Sequence, residues 1–222
     1  MSQVDSFLAG KSLPSRIAYQ SMRGICVIIC RGWNRATIEG RENIPATGAF
    51  VLAPVHRSFL DTPISACVTR RRLRFMGKDS MWENRASGWF LSALGGFPVT
   101  RRTADRQALV RCIQVLESGE PLVVFPEGER KSGPIVQPLF EGAAYVAVKA
   151  GVPIIPVGIG GSERVMPKGT WVIRPHKLHV IVGAPVSPER EGMSARSRVR
   201  VVSADLHAEL QRVFDASQAR VG

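Results

Sequence analysis

Phe50-Val51-Leu52-Ala53-Pro54-Val55-His56-Arg57-Ser58-Phe59-Leu60-Asp61 opens on an apolar run, turns polar at His56 and leads into Thr62-Pro63. The apolar run reads as a buried strand with Pro54 at its end. Thr62-Pro63 suits an early helical turn, and a helix is predicted over 62–68. A strand feeding a helix through a short polar loop is the unit from which parallel sheets are built.

The same alternation continues outward in both directions. Strands are predicted near 35–39, 50–53, 73–76, 97–99, 122–125, 154–159, 171–173 and 178–182. Helices are predicted near 81–94, 104–117, 142–150 and 194–219. The fold class is therefore α/β: a single domain at 34–222, its largely parallel mixed sheet flanked by helices, preceded by an N-terminal helical segment at 1–33. At 222 residues the chain can bury one sizeable core, and its 45% apolar content excludes disorder.

The formal net charge of +12 points to anionic partners: nucleic acid, an acidic membrane surface or phosphorylated metabolites. No zinc-finger, helix-turn-helix or RNA-binding signature accompanies it, so no nucleic acid is expected. Cys26, Cys30, Cys67 and Cys112 contain no C-x-x-C pair, and the four histidines stand singly. Reduced thiols and no metal site follow from that pattern. The first residues lack the charged and apolar regions of a secretory signal, so export is not expected.

In the N-terminal segment only Gly24 to Cys30 is free of charge, far short of the roughly 20 residues a bilayer span needs. Flanked by Arg16, Arg23, Arg31 and Trp33, it reads either as a helix lying in the headgroup plane or as an ordinary core helix. Arg70-Arg71-Arg72 with Arg74 and Lys78 reads either as a contact for lipid headgroups or CoA phosphates, or as a solvated face.

His56 and Asp61, five apart, would diverge by about 140° inside one helix. They can pair only if His56 sits on the loop and Asp61 in the first turn of the helix. An Asp bonded to one ring nitrogen fixes the tautomer and leaves the other nitrogen to take a proton from a hydroxyl. The alternative is structural, because Ser58-Phe59-Leu60-Asp61 also fits a helix capping box. No G-x-S-x-G surrounds Ser58, so a serine nucleophile is disfavoured. Gly96-Phe97-Pro98-Val99-Thr100-Arg101 ends a strand with a guanidinium suited to phosphate. In Phe125-Pro126-Glu127-Gly128-Glu129-Arg130, Gly128 allows close backbone approach, Arg130 can hold a phosphate oxygen, and Glu127 can orient a hydroxyl or Arg101. His56, Arg101 and Glu127 each follow a predicted strand, where parallel sheets gather ligands.

The order of these blocks resembles the PlsC-type glycerophospholipid acyltransferases over about residues 35–185. His56 and Asp61 match the H-x4-D motif, Gly96 to Arg101 resembles the second block, Phe125 to Arg130 the third, and Val152-Pro153-Ile154-Ile155-Pro156-Val157 the fourth. Glu129 stands where Thr is common, Glu141 where a basic residue is frequent, and Pro54-Val55 where Ser-Asn often precedes the histidine.

The resemblance implies that His56 and Asp61 are catalytic and that Arg101, Glu127, Gly128 and Arg130 bind the substrate phosphate. It implies direct acyl transfer without a cofactor, from acyl-CoA or acyl carrier protein to lysophosphatidic acid, giving phosphatidic acid. The expected location is the cytoplasmic face of the cell membrane, peripheral or monotopic. Backbone N–H groups near Ser58 or Gly128 are candidate oxyanion donors. Glycerol 3-phosphate or a glycolipid is the alternative acceptor, and a non-enzymatic basic module for membranes or nucleic acid is the alternative class.

Overall fold

Val51–Pro54 is strand β2, fully buried and central in a seven-stranded sheet. The computed structural model describes residues 12–99, 106–167 and 169–222. The other strands are β1 (Thr37–Glu39), β3 (Arg74–Lys78), β4 (Gly96–Val99), β5 (Leu122–Val123), β6 (Ile154–Gly160) and β7 (His179–Val182). They run in the order β1-β7-β6-β2-β5-β3-β4. Every neighbouring pair is parallel except β6 with β7, which makes the sheet mixed but largely parallel.

The helices are α1 (Leu13–Ile28), α2 (Asp61–Cys67), α3 (Arg85–Ala93), α4 (Arg106–Glu117), α5 (Gly142–Ala150), α6 (Ser162–Val165) and α7 (Ala195–Ala219). Two apolar clusters form the core. One joins Phe50, Leu52, Val55, Ile155, Val157 and Phe214; the other joins Val51, Ala53, Phe97, Val115, Ala147 and Leu206. Successive β2 residues alternate between the two clusters, as the period-2 geometry of a strand covered on both faces requires.

β5 and β6 are consecutive in sequence yet lie on opposite sides of β2. The connections therefore diverge beside β2, and such a divergence opens a crevice beyond the carboxyl ends of the strands. The loop after β2, which carries His56, and the loop after β5, which carries Glu127, meet there.

Close approach of α7 to β6 depends on glycines. A Cβ on Gly158 would stand 2.3 Å from the Val213 carbonyl oxygen, and one on Gly160 2.3 Å from that of Ser217. Gly158→Ala is expected to push the helix outward and to cost roughly 1–3 kcal/mol, as overpacking does. Chemical denaturation checks this, and an unchanged midpoint would show that the helix yields freely.

At its start, α1 is capped by Ser12, whose hydroxyl accepts from the Ser15 N–H. Its inner side is pinned by buried Tyr19, whose hydroxyl accepts from Leu73 N at 3.1 Å and donates to the Arg71 carbonyl at 3.4 Å. Arg23 donates to the Ala66 and Thr69 carbonyls. The helix ends in one wider turn over Ile29–Trp33. Among the described residues no helix is long and apolar enough to cross a membrane. All four cysteines are free thiols, and burial pushes that of Cys112 up to about 12.

Two sequence expectations change. The helix expected over 81–94 begins only at Arg85, after a tight turn at Asp79–Trp82, because the Asn84 side chain accepts from Ala86 N and Ser87 N and so caps it there. The strand expected at 171–173 is a loop. Its carbonyls are taken by side chains instead of a ladder: Trp33 donates to Ile173, and Asn34 donates to Arg174 and His176.

The basic cluster also divides. Arg74 is buried against Glu120 at 2.6 Å, Arg72 donates to the Ser92 and Ala93 carbonyls, and Arg71 donates to the Pro45 carbonyl. Burial lowers the affinity of Arg71 and Arg72 for their protons. Of that cluster, Arg70 and Lys78 are the exposed members.

Candidate active site

His56 lies on the loop between β2 and α2, and Asp61 is the first residue of α2. Nδ1 of His56 is 3.2 Å from Oδ2 of Asp61. A carboxylate only accepts, so the proton between them sits on Nδ1 and the lone pair of Nε2 is left facing outward. The imidazole stacks on Phe125, with ring centroids 4.0 Å apart, and its side chain is 16% exposed while Asp61 is fully buried. The ring is thus held on one side and reachable on the other.

Asp61 does not act as a capping-box residue. The same Oδ2 accepts from Arg57 N at 2.5 Å and from Ser58 N at 2.6 Å, so the carboxylate reaches back and folds the loop around itself. Its place in the first turn of α2 also suits a negative charge. Oδ1 is buried with no hydrogen-bond partner among the described residues. Ser58 is no nucleophile, because its hydroxyl is buried and donates to the Met166 carbonyl at 2.9 Å.

Both expected sources of oxyanion donors are occupied. The Ser58 N–H serves Asp61, and the Gly128 N–H donates to the Phe125 carbonyl at 3.0 Å.

Glu127 takes a different part from the one expected of it. It is fully buried and meets Arg57, which is 2% exposed: Nη1 of Arg57 donates to Oε1 at 2.9 Å and to Oε2 at 2.7 Å. Oε2 also accepts from the His56 N–H at 3.1 Å, and Oε1 from Gln137 N at 3.1 Å. A carboxylate so engaged cannot approach a phosphate and would repel one. What it orients is the backbone of His56.

Arg57 extends the clamp, donating through Nε to the Gly133 carbonyl and through Nη2 to that of Ile135. Lys131 N donates to the His56 carbonyl at 2.8 Å. The loops after β2 and β5 are therefore one hydrogen-bonded body, built on a buried ion pair whose charges compensate each other.

Gly128 adopts φ +72°, and a Cβ there would stand 2.6 Å from the Phe140 ring. The group that approaches this glycine is a side chain of the protein. Arg130 comes nearer the expected role: its guanidinium lies 3.6 Å from the ring centroid of Phe59, three residues after His56. Glu129 points into solvent and pairs with Lys131 at 2.7 Å.

Arg101 lies outside the described residues. Val99, at the end of β4, lies at the same end of the sheet as the loop bearing His56, because β2, β5, β3 and β4 are all parallel. Sequence reasoning missed Arg57. The available signal was an arginine between two residues of an otherwise apolar strand-to-helix junction. Among the described residues no three His, Cys, Asp or Glu side chains could hold a metal.

The general model of the family described as Acyltransferase matches residues 35–160. A chloroplastic 1-acyl-sn-glycerol-3-phosphate acyltransferase of Brassica napus is 30% identical over 156 residues, which cover 68% of this chain and 45% of that protein. Another, from Chlamydomonas reinhardtii, is 32% identical over 162 residues, covering 70% and 48%. The chain spans about half the length of these relatives. The crystal structure of PlsC, the 1-acyl-sn-glycerophosphate acyltransferase of Thermotoga maritima, matches with a TM-score of 0.73 at 27% identity, over 95% of this chain and 86% of that one. Matched in sequence over more than half its length and in fold over nearly all of it, the chain belongs to the PlsC-type acyltransferase family.

Proposed function

We propose that this protein moves a fatty acyl chain from acyl-CoA, or acyl carrier protein, to the free hydroxyl of lysophosphatidic acid, giving phosphatidic acid. The observation that carries this reading is the His56–Asp61 contact with the second ring nitrogen turned outward. It supports a base that acts on the acceptor alcohol with no protein nucleophile between donor and acceptor.

In this mechanism Nε2 of His56 removes the hydroxyl proton as the oxygen attacks the thioester carbonyl. The tetrahedral intermediate then collapses, the C–S bond breaks, and the imidazolium returns its proton to the departing thiolate. Asp61 stabilises the imidazolium in between. Stacking on Phe125 and the Asp61 bond hold the ring in place, which supplies part of the orientation such a reaction needs. Arg130, with Arg101 as its partner, is proposed to receive the acceptor phosphate.

Arg130→Ala should chiefly raise the KM for a phosphate-bearing acceptor. An unchanged KM with wild-type kcat would remove Arg130 from the site. Arg130→Lys should fall between the two, because a point charge replaces the planar fork of donors.

The outer side of α1 supports peripheral attachment to the cytoplasmic face of the membrane. Leu13, Ile17, Ile25 and Ile28 are all exposed there, at 68%, 57%, 50% and 71%. Incubating the purified protein with labelled palmitoyl-CoA and a panel of lysophospholipids and glycerol 3-phosphate, then resolving products by mass, tests the reading. Acylated product from glycerol 3-phosphate alone would move the acceptor to that class, and no product from any donor would reject the activity.

A further inference from the structure

Trp171 is the most exposed large apolar side chain among the described residues, at 82%, and the adjacent Val172 is 67% exposed. Neighbours in a strand would point to opposite faces, and one would be covered. Here both face outward.

The loop that presents them is held in place. Besides the bonds from Trp33 and Asn34, Arg174 N donates to the Val165 carbonyl at 2.8 Å. The Trp171 ring stacks on Phe59 with centroids 5.4 Å apart and planes 18° from parallel. Phe59 is itself 45% exposed and carries Arg130 over its ring.

Trp33 joins this patch to α1. It is 57% exposed, bonds the loop through its indole N–H, and follows the exposed Ile28 and Ile29. An apolar surface thus runs from α1 through Trp33 and the Trp171 loop to Phe59, beside His56. Arg31, Arg35, Arg174 and Lys177 are exposed along it. Tryptophan with basic neighbours is the composition of a membrane–water interface, where the ring sits at headgroup level and the cations meet anionic lipid.

We propose that the Trp171-Val172 loop is a second bilayer contact, seated in the headgroup–acyl boundary of an anionic membrane beside α1. A lipid acceptor then leaves the bilayer across Phe59 toward Arg130 and His56. The route of the acceptor rests on the acyltransferase reading; the bilayer contact does not.

The full chain and its Trp171→Phe variant are titrated with vesicles of phosphatidylcholine and phosphatidylglycerol, with and without brominated acyl chains, and the difference in tryptophan emission reports residue 171. A blue shift with quenching by the brominated chains is expected. Val172→Glu, at a surface position, should weaken vesicle partitioning by roughly tenfold, since it removes an apolar contact and adds a charge of the repelled sign. Vesicle binding without quenching of Trp171 would overturn the proposal. So would a Trp171 emission that shifts with protein concentration before lipid is added, which would assign the patch to a second copy of the chain. Neither readout requires turnover. A protein that acylates lysophosphatidic acid but leaves Trp171 unquenched keeps its activity and loses this contact, and quenching without acylation does the reverse.

Discussion

His56→Ala is expected to lower the rate of acyl transfer by about 10² to 10⁴-fold while leaving the fold intact. The imidazole contributes one hydrogen bond to Asp61 and one stacking contact to Phe125, and it is partly open to solvent. Its removal therefore costs little stability. The backbone of His56, which Glu127 and Lys131 hold, is untouched by the change. Single-turnover kinetics with saturating acceptor isolate the chemical step, and near-wild-type turnover would refute the base assignment. Asp61→Asn is the informative companion. Its side chain can still accept, so the tautomer is compromised more than the loop, and kcat should fall with the melting temperature only modestly reduced. A variant that unfolds without losing activity per folded molecule would return Asp61 to a purely structural role.

Glu127→Ala is expected to produce the largest loss of stability, about 3–5 kcal/mol, because it leaves the buried charge of Arg57 uncompensated. Against a total stability of about 5–15 kcal/mol, that is enough to leave much of the protein unfolded at moderate temperature. The loss falls on the site as well, since the His56 N–H and the Gln137 N–H both lose their acceptor. Glu127→Gln keeps one carbonyl acceptor and should be milder. Replacing both members, Arg57→Met with Glu127→Leu, should recover only part of the stability. The charge penalty disappears, but the Gly133 and Ile135 carbonyls and the two N–H groups remain unpaired. Urea denaturation of the four proteins orders them. A Glu127→Ala protein as stable as wild type would show that solvent reaches Arg57.

How far each residue was legible depended on how local its determinants are. The stretch 50–61 announced a strand, a loop and a helix start, and the chain adopts them, with β2 at Val51–Pro54 and α2 from Asp61. The β6 segment, α5 and α7 were legible for the same reason. The tight turn before α3 was carried by Asn84, a cap residue inside an apolar pattern that periodicity alone overlooks. The apolar run at 171–173 looked like a strand because hydrophobicity does not say what will take the backbone hydrogen bonds. Trp33 and Asn34, about 140 positions earlier, take them. Glu127 was recognised as belonging to the site but given a ligand's partner, when its partner is an arginine 70 positions away in sequence.

By itself, the sequence determined the α/β alternation, the order of the blocks and the presence of an imidazole and a carboxylate at loop-to-helix spacing. These follow from side-chain period and from the φ restrictions of proline and glycine, which act over a few residues. Only the tertiary structure decided that Arg57 and Glu127 form the buried clamp, that three donors converge on one oxygen of Asp61, and that Trp171 stands out into solvent over Phe59. A buried polar group must find a partner, but which one it finds is set by which loops the sheet order brings to the same crevice. That choice is made by packing across the whole chain, and no local spacing encodes it.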